Sequence, residues 1–288
     1  MSRYTDLQRR LSDITSGAPI GTIEYFGQGY AKDERGFLYS VKSVEQAETQ
    51  RRIAKQKAEG RKEKFVFNVM ENVEYVSSAL TSAQCGYLLV LSTYINYDGL
   101  IVTSERDGEP MSRQQMIAAL GLRETQRSTL SEFITACVSY GIFREDCGGY
   151  SINNGFHTRG KTDNPNVVRS YITKLRAMAS VNKPEHIGLL YKLIPYINKF
   201  SNVLCENPNE EIPSKRSKLN RKQIAEITGV APSYVTRITS TMIYNEKSVF
   251  AKVTTATEGT FYMLNPTIFR RADRDDYDDT TRDIFGID

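Results

Sequence analysis

The chain has 288 residues, a formal net charge of +4 and 40% hydrophobic residues, with 19 Gly and 9 Pro. Its length suggests two domains, and its composition excludes collagen-like and Pro-rich disordered chains. No apolar run reaches the ~18 residues of a membrane span, and with only two histidines a multi-His metal site is excluded.

MSRYTDLQRRLSDITSG at the N-terminus has no apolar run after its arginines, so no secretory signal is expected there. Within residues 1–64, the stretches 22–26 and 36–41 suggest a small hairpin. Residues 43–64 read as a charged helix with few apolar positions, a connector or an arm that orders on DNA. Residues 65–69 are a β-rich lead-in. Thr81 and Gln84 form a capping box before a helix at 82–96. A short strand follows at 100–103. Ser112 and Gln115 form a second capping box, whose helix stops at Gly121. A longer helix at 124–140 leads into a hairpin of 141–144 with 150–152. Residues 161–183 read as a linker with a helix. Beyond it come a helix at 185–200, a basic loop at 207–218, a short helix at 221–228, a longer one at 232–245 and a hairpin of 249–253 with 260–264. Residues 275–288 are acidic with an apolar tip, and are expected to be a disordered tail.

This order repeats itself. Gly86 and Tyr94-Ile95-Asn96 match Gly188 and Tyr196-Ile197-Asn198, 102 residues on. Arg113, Gln115 and Gly121 match Arg221, Gln223 and Gly229, 108 on, and Tyr150 and Asn153 match Tyr262 and Asn265, 112 on. Three ordered matches point to two copies of one domain, residues 65–160 and 184–274. The expected fold is mainly α with small β-hairpin wings: two tandem winged helix-turn-helix domains. In such a domain a short helix holds a longer one at an angle that lets it enter the major groove.

The charge pattern follows the same division. Net charge is +4 over residues 1–64, −4 over 65–160, +9 over 161–274 and −5 over 275–288. The second copy carries the expected DNA contacts. Ser233, Tyr234, Thr236 and Arg237 face outward from the longer helix, while Val235, Ile238 and Met242 face the core. Lys215, Arg216, Lys218, Arg221 and Lys222 grip phosphates, with Lys252 on the hairpin. In the first copy Arg113, Arg123, Gln126 and Arg127 are the candidates, on a domain whose net charge repels phosphate. Dimerisation or partner binding is the other reading for that copy. Ile284 and Phe285 are candidate partner-docking residues.

Both hairpin exits share a motif: Tyr150-Ser-Ile-Asn153 followed by Phe156 and Arg159-Gly160, and Tyr262-Met-Leu-Asn265-Pro266 followed by Phe269 and Arg271. The motif resembles the ending of the winged-helix domain in RepL-like plasmid replication proteins. The tandem arrangement is similar to pseudo-symmetric initiators of the Rep_3 type. The resemblance implies replication of plasmid or phage DNA, or its regulation.

No P-loop, dinucleotide fingerprint or HExxH is present, so the chain is read as a non-enzyme without cofactors. Cys85, Cys137, Cys147 and Cys205 form no CxxC pair and read as reduced thiols in a cytoplasmic protein. The expected partner is double-stranded DNA, with replication or transcription machinery reached through the acidic tail, a homodimer possible in principle and no membrane. Three functions remain open: a replication initiator, a transcription regulator on mobile DNA, and a winged-helix adaptor that binds protein instead of DNA.

Overall fold

Strands about a hundred residues apart in the chain meet in one sheet, and this changes the fold class. The computed structural model describes residues 22–26, 30–40, 63–104, 108–146, 148–271 and 278–287. It divides into two units, residues 1–62 and 63–288.

In the first unit, β1 (Glu24–Phe26), β2 (Tyr30–Lys32) and β3 (Leu38–Ser40) form an antiparallel meander. It has one strand more than the expected hairpin. Asp33 is buried at its turn, where its carboxylate accepts hydrogen bonds from the Arg35 side chain and from the backbone N–H of Arg35 and Phe37. The charged stretch 43–64 lies outside the described residues except at its last two positions.

The second unit opens with β4 (Phe65–Val69), α1 (Val73–Ala79) and α2 (Ser82–Ser92). Then come α3 (Arg113–Ala119), α4 (Arg127–Ser139), β5 (Phe143–Asp146), β6 (Gly149–Ile152) and β7 (His157–Thr158). The series begins again with β8 (Val167–Tyr171), α5 (Ile172–Val181), α6 (Pro184–Leu193), α7 (Arg221–Thr228) and α8 (Pro232–Thr241). It ends with β9 (Ile243–Tyr244), β10 (Lys247–Ser248), β11 (Phe250–Thr255), β12 (Gly259–Leu264), β13 (Phe269–Arg270) and α9 (Asp279–Phe285).

Both predicted capping boxes form, at Thr81 and Ser112, and Asn220 caps α7 in the same way. Gly121 and Gly229 sit at φ +65° and +72°, the left-handed stops that let each short helix turn into the next. Some boundaries differ from expectation. The helix expected at 185–200 ends at Leu193, because Pro195 has no N–H to continue it and the chain tightens into a 3-10 turn. The helix expected at 232–245 ends at Thr241, where Asn245 and Glu246 at positive φ make the turn of a two-residue hairpin. The strand expected at 100–103 forms only isolated bridges, Ile95 with Ile101, Leu100 with Ser151 and Val102 with Pro110.

The central sheet has the order β13-β8-β4-β7. In the antiparallel β4–β8 pair, Phe67 faces Arg169, and these two residues are 102 positions apart. β7 pairs with β4 through His157 and Thr158, and β13 pairs with β8 through the matching Phe269 and Arg270. An approximate two-fold axis therefore passes between Phe67 and Arg169. Residues 161–183 are more than a linker: β8 and α5 are the second copy's counterparts of β4 and α1. The expectation of a mainly α protein with small wings is thus overturned. The chain is mixed α/β, with five small sheets among the described residues. Local periodicity carries no signal for strand pairing across such a separation.

The same axis relates α2 and α6. They cross with their backbones nearly touching, because Gly86 lies against the Pro184 carbonyl and Gly188 against the Ser82 carbonyl. Ser82 and Pro184 are themselves 102 residues apart. The shared exit motif proves structural. Arg159 donates to the Ile95 carbonyl at 3.1 Å, and Arg271 to the matching Ile197 carbonyl at 3.2 Å. Asn153 and Asn265 cap the turns after their hairpins through the N–H of Gly155 and Thr267.

Arg271 also donates to the Pro208 carbonyl and Asn209 Oδ1. Arg271→Ala leaves the Ile197 carbonyl and Asn209 Oδ1 without their donor, while the Pro208 carbonyl keeps the Lys199 N–H and the Asn198 amide, and a loss of about 2 kcal/mol is expected in chemical denaturation. A change below ~0.5 kcal/mol would mean that water replaces the guanidinium at no cost.

The acidic C-terminus is ordered where it is described. Residues 275–277 lie outside the described residues, but 278–287 form a capped helix and are not a disordered end. Asp278 accepts from the Thr281 N–H, Gly286 closes the helix at φ +57°, and Phe285 is buried against Val203, Phe261 and Met263. Six acidic residues cannot fold alone, but here an apolar face of the β11–β12 hairpin supplies the missing core. No helix among the described residues is long and apolar enough to cross a membrane.

Candidate nucleic-acid interface

The candidate interface is built on α7, Gly229 and α8. Ile224 and Ala225 bury one face of α7, and Val235 and Ile238 bury one face of α8, with Met242 just beyond its end. Each large apolar side chain so buried contributes about 1.5–3 kcal/mol. Together they hold α8 at one angle, and Pro232 starts it without a wasted donor.

This leaves Ser233, Thr236 and Arg237 exposed, as are Ser240 and Thr241 further along. The last two were not anticipated, although they lie three and four residues beyond Arg237 and the spacing could have shown them. Three of these hydroxyls donate back to their own helix: Thr236 to the Pro232 carbonyl, Ser240 to Thr236 and Thr241 to Arg237. Their remaining lone pairs and methyl groups stay outward. Such a face is small and smooth enough to reach a groove floor, and Thr methyls suit thymine methyls.

Tyr234 is not outward as expected. It is half-buried, with its ring edge-on to His186 at 5.9 Å, and the Arg237 guanidinium lies over it at 4.7 Å. Tyr234 is therefore a platform for Arg237. Burial lowers the His186 pKa, with a further contribution from Lys183, so this ring is neutral near pH 7.

The basic cluster divides. Lys215, Arg221 and Lys222 are exposed, Arg221 lying 3.4 Å from the Thr236 hydroxyl. Arg216 is spent on its own loop, donating to the Glu210 and Glu211 carbonyls. Lys218 is paired with Glu258 and sits over the Phe261 ring at 4.2 Å. Lys252 is exposed on β11, and Lys247, which the sequence did not single out, is exposed on β10.

In the first copy most candidates are already engaged. Arg113 donates to the Tyr150 hydroxyl at 2.9 Å, and Arg127 pairs with Glu124 at 2.7 Å. Gln126 accepts from the Arg123 N–H, while Arg123 itself is exposed. Arg127 stays out of the core because α4 only begins there, and Leu130 takes the first buried position. Ile284 is partly exposed on α9, whereas Phe285 faces inward and is not free to dock elsewhere while α9 is seated. Among the described residues no cluster of His, Cys, Asp or Glu could hold a metal ion. No family model, curated protein or solved structure matches the chain.

Proposed function

We propose that the protein is a sequence-selective double-stranded DNA-binding protein that acts as a replication initiator of the plasmid or phage type. The observation that carries this reading is the outward face of α8. Arg237 is held over Tyr234 beside a row of small hydroxyl side chains, with Arg221 and Lys222 exposed on α7 before it and Lys215 exposed on the loop that leads into α7. The second copy reads bases through α8, and its lysines meet the flanking phosphates. The first copy, related by the approximate two-fold axis, faces the same duplex with fewer free cations and makes the weaker contact.

Arg237→Ala is expected to cost ~1–3 kcal/mol at one base position and to relax preference there. Lys222→Ala should weaken all sequences alike and lower the salt slope by about one. Lys222 is the better probe than Lys218, whose charge Glu258 already holds. Binding assays on the preferred site, on single-base variants and across a salt series separate the two, and identical behaviour of both variants would refute the division of roles.

Footprinting on the DNA beside the gene tests the larger role. Protection of iterated short repeats supports initiation, and protection of one palindrome over a promoter means a regulator instead. If no duplex binds at physiological salt, the reading fails and a protein-binding adaptor takes its place.

A further inference from the structure

The two copies differ most on the outer face of their hairpins. In the first copy that face carries Gly149 and Ser151, and Pro110 rests directly on Gly149, 2.5 Å from where a Cβ would stand. In the second copy the matching positions are Phe261 and Met263, and Lys218 lies where Pro110 does, with its ammonium over the Phe261 ring. Across the ladder, Ala251 pairs with Met263 and Val253 with Phe261. Val203 bridges to Met263 and completes an apolar surface. The repeat itself supplies no cover for it; α9, from outside the repeat, does.

That cover is small and acidic, with three aspartates against one arginine, Arg282. It buries Phe285 and Thr281, with Ile287 packed at the edge, while Asp278, Asp279 and Asp283 stay exposed. It also occupies one cation: the Lys247 ammonium donates to the Gly286 carbonyl at 2.7 Å. A seven-residue helix with one buried aromatic is at the low end of local stability.

We infer that α9 is a reversible acidic cover on the β11–β12 hairpin, and that duplex DNA and α9 compete for this side of the second copy. This rests on the duplex-binding reading. Seated, α9 holds three carboxylates beside the strands that flank α8 and engages Lys247. Phosphates approaching the hairpin meet those charges, so binding is weakened for all sequences. When α9 leaves, the carboxylates go with it and Lys247 is freed. The six residues between Arg271 and Asp278 keep the helix nearby at high effective concentration, so it reseats when DNA dissociates.

The full chain is tested with two variants that act differently. Phe285→Ala removes the anchor and keeps the charge. Asp279→Asn with Asp283→Asn removes charge and keeps the anchor, and it spares Asp278, which caps the helix. Both should bind a random duplex about five- to tenfold more tightly than the unaltered chain at about 50 mM salt, and the gain should shrink to less than about twofold at ~300 mM, where screening is short-ranged. Hydrogen exchange of the unaltered chain should show the amides of 282–285 losing protection on adding the duplex, while those of α8 gain it. Equal affinity of all three chains at low salt, or α9 amides as protected with duplex as without, overturns the cover and leaves duplex binding intact. No duplex binding by any of the three overturns both.

Discussion

Gly188→Ala is expected to cost about 3 kcal/mol or more, a large part of the ~5–15 kcal/mol that holds an ordinary domain folded. A Cβ at Gly188 would stand 1.7 Å from the Ser82 carbonyl oxygen and 2.6 Å from its carbon. Both atoms are backbone in α2, so no side-chain rotation relieves the overlap. The two helices would have to separate, and the buried side chains they carry, Cys85, Leu89 and Leu190 among them, would lose close packing in the core. Gly86→Ala should act in the same way, because its Cβ would lie 2.1 Å from the Pro184 carbonyl oxygen. Gly229→Ala is the control. Nothing lies within 4 Å of that position, and its φ of +72° makes the cost one of backbone conformation only, about 1–2 kcal/mol. Urea denaturation of the three variants should place Gly188→Ala and Gly86→Ala well below Gly229→Ala. Equal losses at all three would mean that the crossing is looser than described.

Between about pH 7 and pH 5 the protein is expected to lose about 2 kcal/mol of stability through His157 alone. This ring is wholly buried, with Nδ1 3.1 Å from Asn68 Oδ1 and Nε2 3.4 Å from the Tyr191 hydroxyl. Asn68 uses its amide hydrogens on the Val168 carbonyl and the Ser170 hydroxyl, so its oxygen faces the ring. Nδ1 therefore donates and Nε2 accepts, which describes a neutral imidazole. Burial pushes the His157 pKa down to about 3. The folded state stays neutral while the unfolded chain takes up a proton below its ordinary pKa of ~6.5. Stability is thus fully present above ~6.5 and falls toward 3, at up to ~1.4 kcal/mol per pH unit. His157→Phe with Tyr191→Phe should flatten this slope. Phe is what the second copy carries at the matching place, Phe269. The unpaired Asn68 oxygen lowers stability at every pH, so the slope is the diagnostic quantity. A slope unchanged by the substitution would assign the effect to other groups. His186 contributes in the same direction, but it is common to both chains and cancels.

Much of the framework of the second copy's candidate site was legible in the sequence because its signals are local. Gln223, Gly229, Pro232 and the spacing of Val235, Ile238 and Met242 are each fixed by contacts within a few residues: a cap, a left-handed stop, a first turn and a helix face. Partner choice was not legible. Arg216 and Lys218 look alike in a basic run, yet one is consumed by its loop and the other by Glu258, forty residues on. Tyr234 reads as an outward side chain until His186, from α6, is placed beside it.

The internal repeat, the helix caps and turns, and the uneven spread of charge were determined by the sequence alone, because each depends on the order of neighbouring residues. The tertiary structure decided the rest. Residues 167–171 share little with 65–69 as letters, and they become the matching strand only when Phe67 and Arg169 meet across the two-fold axis. The glycines of α2 and α6 read as helix interruptions until the two backbones are seen to need that space. An acidic C-terminus that cannot bury a core of its own becomes a helix because Phe261 and Met263 present one. In each case the stabilising contact lies between residues far apart in the chain, where local propensity carries no information and only packing selects the partner.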